Sequence, residues 1–74
     1  MSSIVDIVAI DLTALGARIH TLRSDAGESQ ATTATAIGVT RGYLSDIEAG
    51  RRNITLAVLS DLADHFGVAP ADLL

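Results

Sequence analysis

The chain has no cysteine and no tryptophan, and its five basic residues are all arginine. Without cysteine there is neither a disulfide framework nor a thiolate zinc site. Without lysine there is no Schiff-base nucleophile and no phosphate-loop lysine. The two histidines, His20 and His65, stand far apart with no ligand spacing around them, so no metal site is expected. Neither a Gly-x-Ser-x-Gly elbow nor a glycine-rich phosphate loop occurs. The expectation is a protein that is not an enzyme and needs no cofactor.

With one Phe, one Tyr and one Pro, packing falls to Leu, Ile, Val and Ala, which dominate the 49% hydrophobic content. Seventy-four residues make one domain near the lower end of what folds without a staple. A core that small makes dimerisation a natural source of added stability. It also leaves no room for an effector domain, so regulation is expected to come from concentration, dimerisation, a partner protein or operator competition.

The net charge of −4 argues at first sight against a nucleic-acid partner. Its distribution argues the other way. Residues 55–74 carry Asp61, Asp64 and Asp72 and no cation, whereas Arg41, Arg51 and Arg52 fall within a dozen residues of one another. The result is a small basic face on an acidic body. The apolar residues 4–10 lack a basic leader, contain Asp6 and are too short to span a bilayer. A cytoplasmic protein without membrane contact is expected.

Leu12, Leu15, Ile19 and Leu22 recur at helical spacing and predict a helix over residues 12–26, with Asp11 or Thr13 at its start and Gly27 as its stop. Ser29 caps a second helix that turns Ala31, Ala34 and Ile37 inward and ends at Gly38. Thr40 caps a third, with Leu44 and Ile47 inward and Gly50 as its stop. Thr55 opens a fourth, whose stripe is Leu56, Leu59, Leu62, Ala63 and Phe66, with Gly67 closing it. Pro70 suits the first position of a fifth, over residues 70–74. The fold class is therefore all-α, a compact five-helix domain over residues 12–74 preceded by an apolar arm at 1–11. Two readings fit that arm: a segment folded onto its own core, or a dimer contact with arms exchanged between subunits.

Residues 29–49, two short helices around a glycine-centred turn, have the layout of a helix-turn-helix, whose second helix lies in the DNA major groove. From residue 15 to 74 the chain resembles the Cro/C1-type helix-turn-helix family, also called XRE, of phage repressors and bacterial regulators. The resemblance rests on Leu15-Gly16-x-Arg18-Ile19-x-x-Leu22-Arg23, Gly27-x-Ser29-Gln30 and Ala34-x-x-Ile37-Gly38-Val39-Thr40. It continues through Tyr43-Leu44-Ser45-x-Ile47-Glu48-x-Gly50-Arg51-Arg52-Asn53 and Leu62-Ala63-x-x-Phe66-Gly67-Val68. The chain departs from it at Thr33, where the family usually has Leu, and at Thr32, Thr35 and Ala36, where it has charged residues.

The resemblance implies a lambda-repressor-like fold and a regulator, bacterial or phage-encoded, that binds a palindromic operator in double-stranded DNA as a homodimer. Base contacts would come from Arg41, whose guanidinium suits guanine O6 and N7, and from Gly42, Ser45 and Asp46. For Asp46 two readings stand: acceptance from cytosine N4, or a surface pair with Arg41 or Arg52. Phosphate contacts would come from Gln30, exposed at the start of the second helix, and from Thr40, Tyr43, Arg51, Arg52 and Asn53. Arg23 and Glu48 would form a buried salt bridge between the first and third helices. Dimer contacts would draw on Ile4, Ile7 and Ile10 of the arm, or on Val68, Leu73 and Leu74. The run from Tyr43 to Leu56 is similar to the controller proteins of restriction–modification systems in particular. The alternative is a protein-interaction module on the same fold, such as an antitoxin that holds a toxin.

Overall fold

A computed structural model of the chain describes residues 11–74. Among these residues four α-helices follow in order: α1 (Leu12–Asp25), α2 (Gln30–Ile37), α3 (Arg41–Glu48) and α4 (Leu56–Phe66). Each begins where a short polar side chain accepts from a backbone N–H three residues on. Asp11 Oδ1 accepts from Ala14, Ser29 Oγ from Thr32, Thr40 Oγ1 from Tyr43 and Thr55 Oγ1 from Val58, all at 3.0–3.1 Å. The turn between α2 and α3 needs a left-handed residue, and Gly38 supplies it with φ of 76°. Its own N–H and that of Val39 then return to Thr35 and Ala34, closing α2 in a Schellman-type cap.

The fifth element corrects the sequence reading. Residues Pro70–Leu73 form a single 3-10 turn rather than a fifth α-helix. Four residues are too few for an α-helical ladder, and the turn closes with i→i+3 bonds from Asp72 to Ala69 and from Leu74 to Ala71.

Leu15 and Ile19 of α1, Ala34 of α2, Leu44 and Ile47 of α3, Leu59, Leu62 and Ala63 of α4, and Leu73 form one buried core. Helix α1 lies so close to the end of α3 that a Cβ on Gly16 would stand 2.4 Å from the Ile47 carbonyl oxygen. Two inward assignments fail. Ala31 is exposed, and Thr33 is buried in its place. That roll of α2 covers the Thr33 methyl and brings its hydroxyl to Glu28 Oε1 at 2.7 Å, so the buried polar group is satisfied. Leu56 is 84% exposed, because the first residue of α4 runs past the elements that cover the rest of the stripe. No helix among the described residues is long and apolar enough to cross a membrane.

Candidate nucleic-acid interface

Helix α3 is two-faced. Leu44 and Ile47 are fully buried, while Arg41 and Gly42 are exposed and Ser45 and Asp46 half-buried on the other side. Arg41 is the first residue of the helix, and no hydrogen bond or ion pair of its guanidinium occurs among the described residues. Gly42 opens onto empty space, with no atom within 4 Å of where a Cβ would stand.

The loop after α3 folds its cations back onto the helix. Arg51 Nη2 donates to Asp46 Oδ1 at 3.1 Å, so the ion pair of Asp46 is with Arg51 and not with Arg41 or Arg52. The reason is local: Gly50 reverses the chain, and the Arg51 N–H donates to the Asp46 carbonyl at 2.9 Å. The Arg52 guanidinium instead lies 4.8 Å from the centre of the Tyr43 ring, a cation–π contact. Asn53 is exposed beside them. Thr40 is exposed, and its Oγ1 accepts the capping bond from Tyr43.

A buried carboxylate fixes the other end of α3. Glu48, with a side chain only 5% exposed, accepts from Arg23 Nε at 2.7 Å through Oε2 and from Arg23 Nη2 at 2.9 Å through Oε1. Arg23 Nη1 also reaches the Glu28 carbonyl at 2.8 Å, so one guanidinium ties α1, the loop before α2, and α3. Burial pushes the Glu48 carboxyl up. Bonds from Arg23, His20 and Gln30 outweigh burial and hold it below the usual carboxylate range. The same Glu48 bond raises Arg23.

Gln30 departs from the expectation that it is exposed. It is half-buried, and its Nε2 donates to Glu48 Oε1 at 3.2 Å. Helix α2 begins just where that carboxylate emerges, so the amide is drawn to it. His20, set aside by sequence reasoning, places Nδ1 3.0 Å from the same oxygen. Only a ring with a proton on Nδ1 suits that contact, and Arg23 Nη2, 3.1 Å from the same nitrogen, then donates to Glu48 instead. A second cluster was missed outright. Glu28 Oε1 lies 2.7 Å from both His65 Nε2 and Thr33 Oγ1, and these bonds, His65 first, lower its carboxyl. Glu28 and Thr33 are near neighbours at the start of α2, but nothing in local sequence links them to His65; the packing of α4 against α2 does.

Among the dimer candidates, Ile4, Ile7 and Ile10 lie outside the described residues. Leu73 is fully buried in the core and has no surface to offer a second subunit, which corrects its assignment. Val68 is half-buried, and Leu74 is 55% exposed.

Residues 14–74 match the helix-turn-helix domain family. The chain belongs to that family, as a member of the Cro/C1 type. A relative from Mycobacterium tuberculosis, the HTH-type transcriptional regulator RamB, is 39% identical over 56 residues, covering 76% of this chain. The chain spans only 12% of RamB's own length. The uncharacterized HTH-type transcriptional regulator y4dJ of Sinorhizobium fredii is 36% identical over 59 residues, 80% of this chain and 77% of that one. Among solved structures, the restriction-modification controller protein C.AhdI from Aeromonas hydrophila superposes with a TM-score of 0.83 at 36% identity, covering 86% of this chain and 97% of its own. In this helix-turn-helix the first helix is α2, the turn is Gly38-Val39-Thr40 and the second helix is α3.

Proposed function

We propose that the chain is a sequence-specific regulator that binds double-stranded DNA as a homodimer on a palindromic operator. The activity proposed is binding rather than catalysis. The observation that carries the reading is the two-faced α3: its inner face is locked in the core, its C-terminal residue is held by Arg23, and its N-terminal residue Arg41 stands clear of the body. A helix supported in that way presents its first turn to base edges in a major groove. Arg41 is assigned to guanine, with Ser45 beside it and Gly42 allowing the backbone to approach. Thr40, Tyr43, Arg51, Arg52 and Asn53 are assigned to the flanking phosphates, and Gln30 to a phosphate through the part of its amide that Glu48 leaves free.

One copy offers few contacts. Two copies about a two-fold axis double them and read half-sites about one helical turn, roughly 34 Å, apart. That the RamB and y4dJ relatives are HTH-type transcriptional regulators supports the reading. Net charge and the missing side chain at Gly42 favour one rival, a protein-interaction module.

Fluorescence anisotropy on the duplex upstream of the chain's own gene, and on random duplex, separates the two. Tight binding that weakens steeply with salt, and that Arg41→Ala relaxes toward the random-duplex level, is the expected result. Failure to bind any duplex at low salt sinks the reading and turns the search to a protein partner.

A further inference from the structure

Asp46 is an odd residue to find on a surface meant for a polyanion. It stands one helical turn after Gly42 on the outward face of α3. Gly42 itself puts no side chain on that face, and a Cβ there would meet only open space. The carboxylate is also not alone. Arg51 is fastened to it twice, by the backbone bond from Arg51 N–H to the Asp46 carbonyl at 2.9 Å and by the side-chain pair at 3.1 Å. Both side chains stay open to solvent, 43% exposed at Asp46 and 65% at Arg51.

We infer that Asp46 reads an exocyclic amine on the floor of the major groove, cytosine N4 before all others, with Arg51 as its built-in counter-charge. The inference rests on the DNA-binding reading above. An ionised carboxylate only accepts hydrogen bonds. In the major groove, guanine and thymine offer it acceptors, which repel it, and only cytosine N4 and adenine N6 offer donors. Adenine sets an N7 acceptor beside its amine, whereas cytosine does not, so cytosine is the better match. Alone, the same carboxylate would weaken binding to every sequence by repulsion from phosphates. Arg51 cancels that cost. Its guanidinium has five N–H groups and the pair uses one, so the rest serve a phosphate without releasing Asp46. The pair thus turns a general liability into selection against wrong bases.

The test is selection from a random duplex pool, followed by sequencing, with wild type, Asp46→Ala, Asp46→Asn and Arg51→Ala. Wild type is expected to enrich a motif with a cytosine in each half-site. Asp46→Ala should lose preference at that one position, by roughly 5- to 100-fold, while the other positions stand. Asp46→Asn, nearly the same shape but carrying donors, should admit guanine or thymine there. Arg51→Ala should keep the cytosine and bind all duplexes more weakly. A wild-type motif that Asp46→Ala reproduces unchanged overturns this inference and leaves the DNA-binding reading standing. A wild type that binds no duplex overturns both.

Discussion

Arg23 and Glu48, 25 residues apart in sequence, meet through two hydrogen bonds of 2.7 and 2.9 Å that join α1 to the last residue of α3. The Glu48 side chain is buried at 5% exposure, and that of Arg23 is largely covered at 12%. Removing one partner leaves an uncompensated charge in the interior. Glu48→Ala or Arg23→Ala should therefore cost about 3–5 kcal/mol of stability, read by urea unfolding. Replacing both at once, Arg23→Met with Glu48→Leu, should cost less than either single change. A double variant as unstable as the sum of the two singles would show that the pair's bonds, not its unpaired charges, carry the energy.

Two glycines on packed helices should respond to alanine with opposite signs. At Gly16 an added Cβ meets the carbonyl oxygens of Ile47 and Glu48 at 2.4 and 2.6 Å, and backbone cannot step aside as a side chain can. Gly16→Ala should cost about 1–3 kcal/mol and shift α3 against α1. At Gly42 a Cβ meets nothing within 4 Å. Gly42→Ala should instead add about 0.5–1 kcal/mol through helix propensity. Thermal unfolding of the two variants beside wild type decides both.

Acid should weaken the fold through Glu48 and Glu28, whose carboxyls are held below the usual range in the folded chain. The unfolded chain then binds more protons than the folded one as pH drops toward the ordinary glutamate value of about 4.3. The stability these groups supply is complete above that value and is lost as pH falls through their lower folded values. Urea midpoints measured stepwise from about pH 6 to pH 3 should decline across that window. The decline should be shallower in Glu28→Gln, which removes one of the two groups. An equally steep profile in that variant would assign the acid sensitivity elsewhere.

Tyr43 and Arg52 form a platform whose parts separate by substitution. The guanidinium rests on the ring at 4.8 Å, so Tyr43→Phe keeps the platform and removes only the hydroxyl. With phosphate contacts assigned to both, Arg52→Ala should lower the slope of log affinity against log salt by about 0.9. Tyr43→Phe should leave that slope unchanged and weaken binding modestly on every sequence alike.

Most of the helical framework was legible because its signals are local. Asp11, Ser29, Thr40 and Thr55 are caps whose partners lie three residues away, and Gly38 announces its turn by itself. What depends on rotation or reach was not legible. Ala31 against Thr33 is a choice of helix roll, and it turned on a hydroxyl finding Glu28. Leu56 carries the right spacing, but the core ends before it. On α3, helical spacing identified the outward residues, yet the partner of Asp46 depended on how Gly50 turned the loop. His20 and His65 look idle in sequence because their carboxylates, Glu48 and Glu28, lie 28 and 37 residues away.

Leu73 and Leu74 are neighbours with opposite surroundings, and they separate folding from assembly. The Arg18 guanidinium donates to both carbonyls, at 3.4 and 2.9 Å, and fixes the segment so that Leu73 enters the core while Leu74 faces out. Leu73→Ala should remove about 2–5 kcal/mol of stability at every protein concentration, as expected for a truncated core leucine. Leu74→Glu should change the unfolding of the monomer by no more than about 0.5 kcal/mol, since an exposed side chain has little packing to lose. If Leu74 lies in the proposed dimer interface, the same substitution should shift sedimentation toward monomer and weaken operator binding in proportion. Dimerisation at wild-type strength in Leu74→Glu would move the interface to Val68 or to residues 4–10.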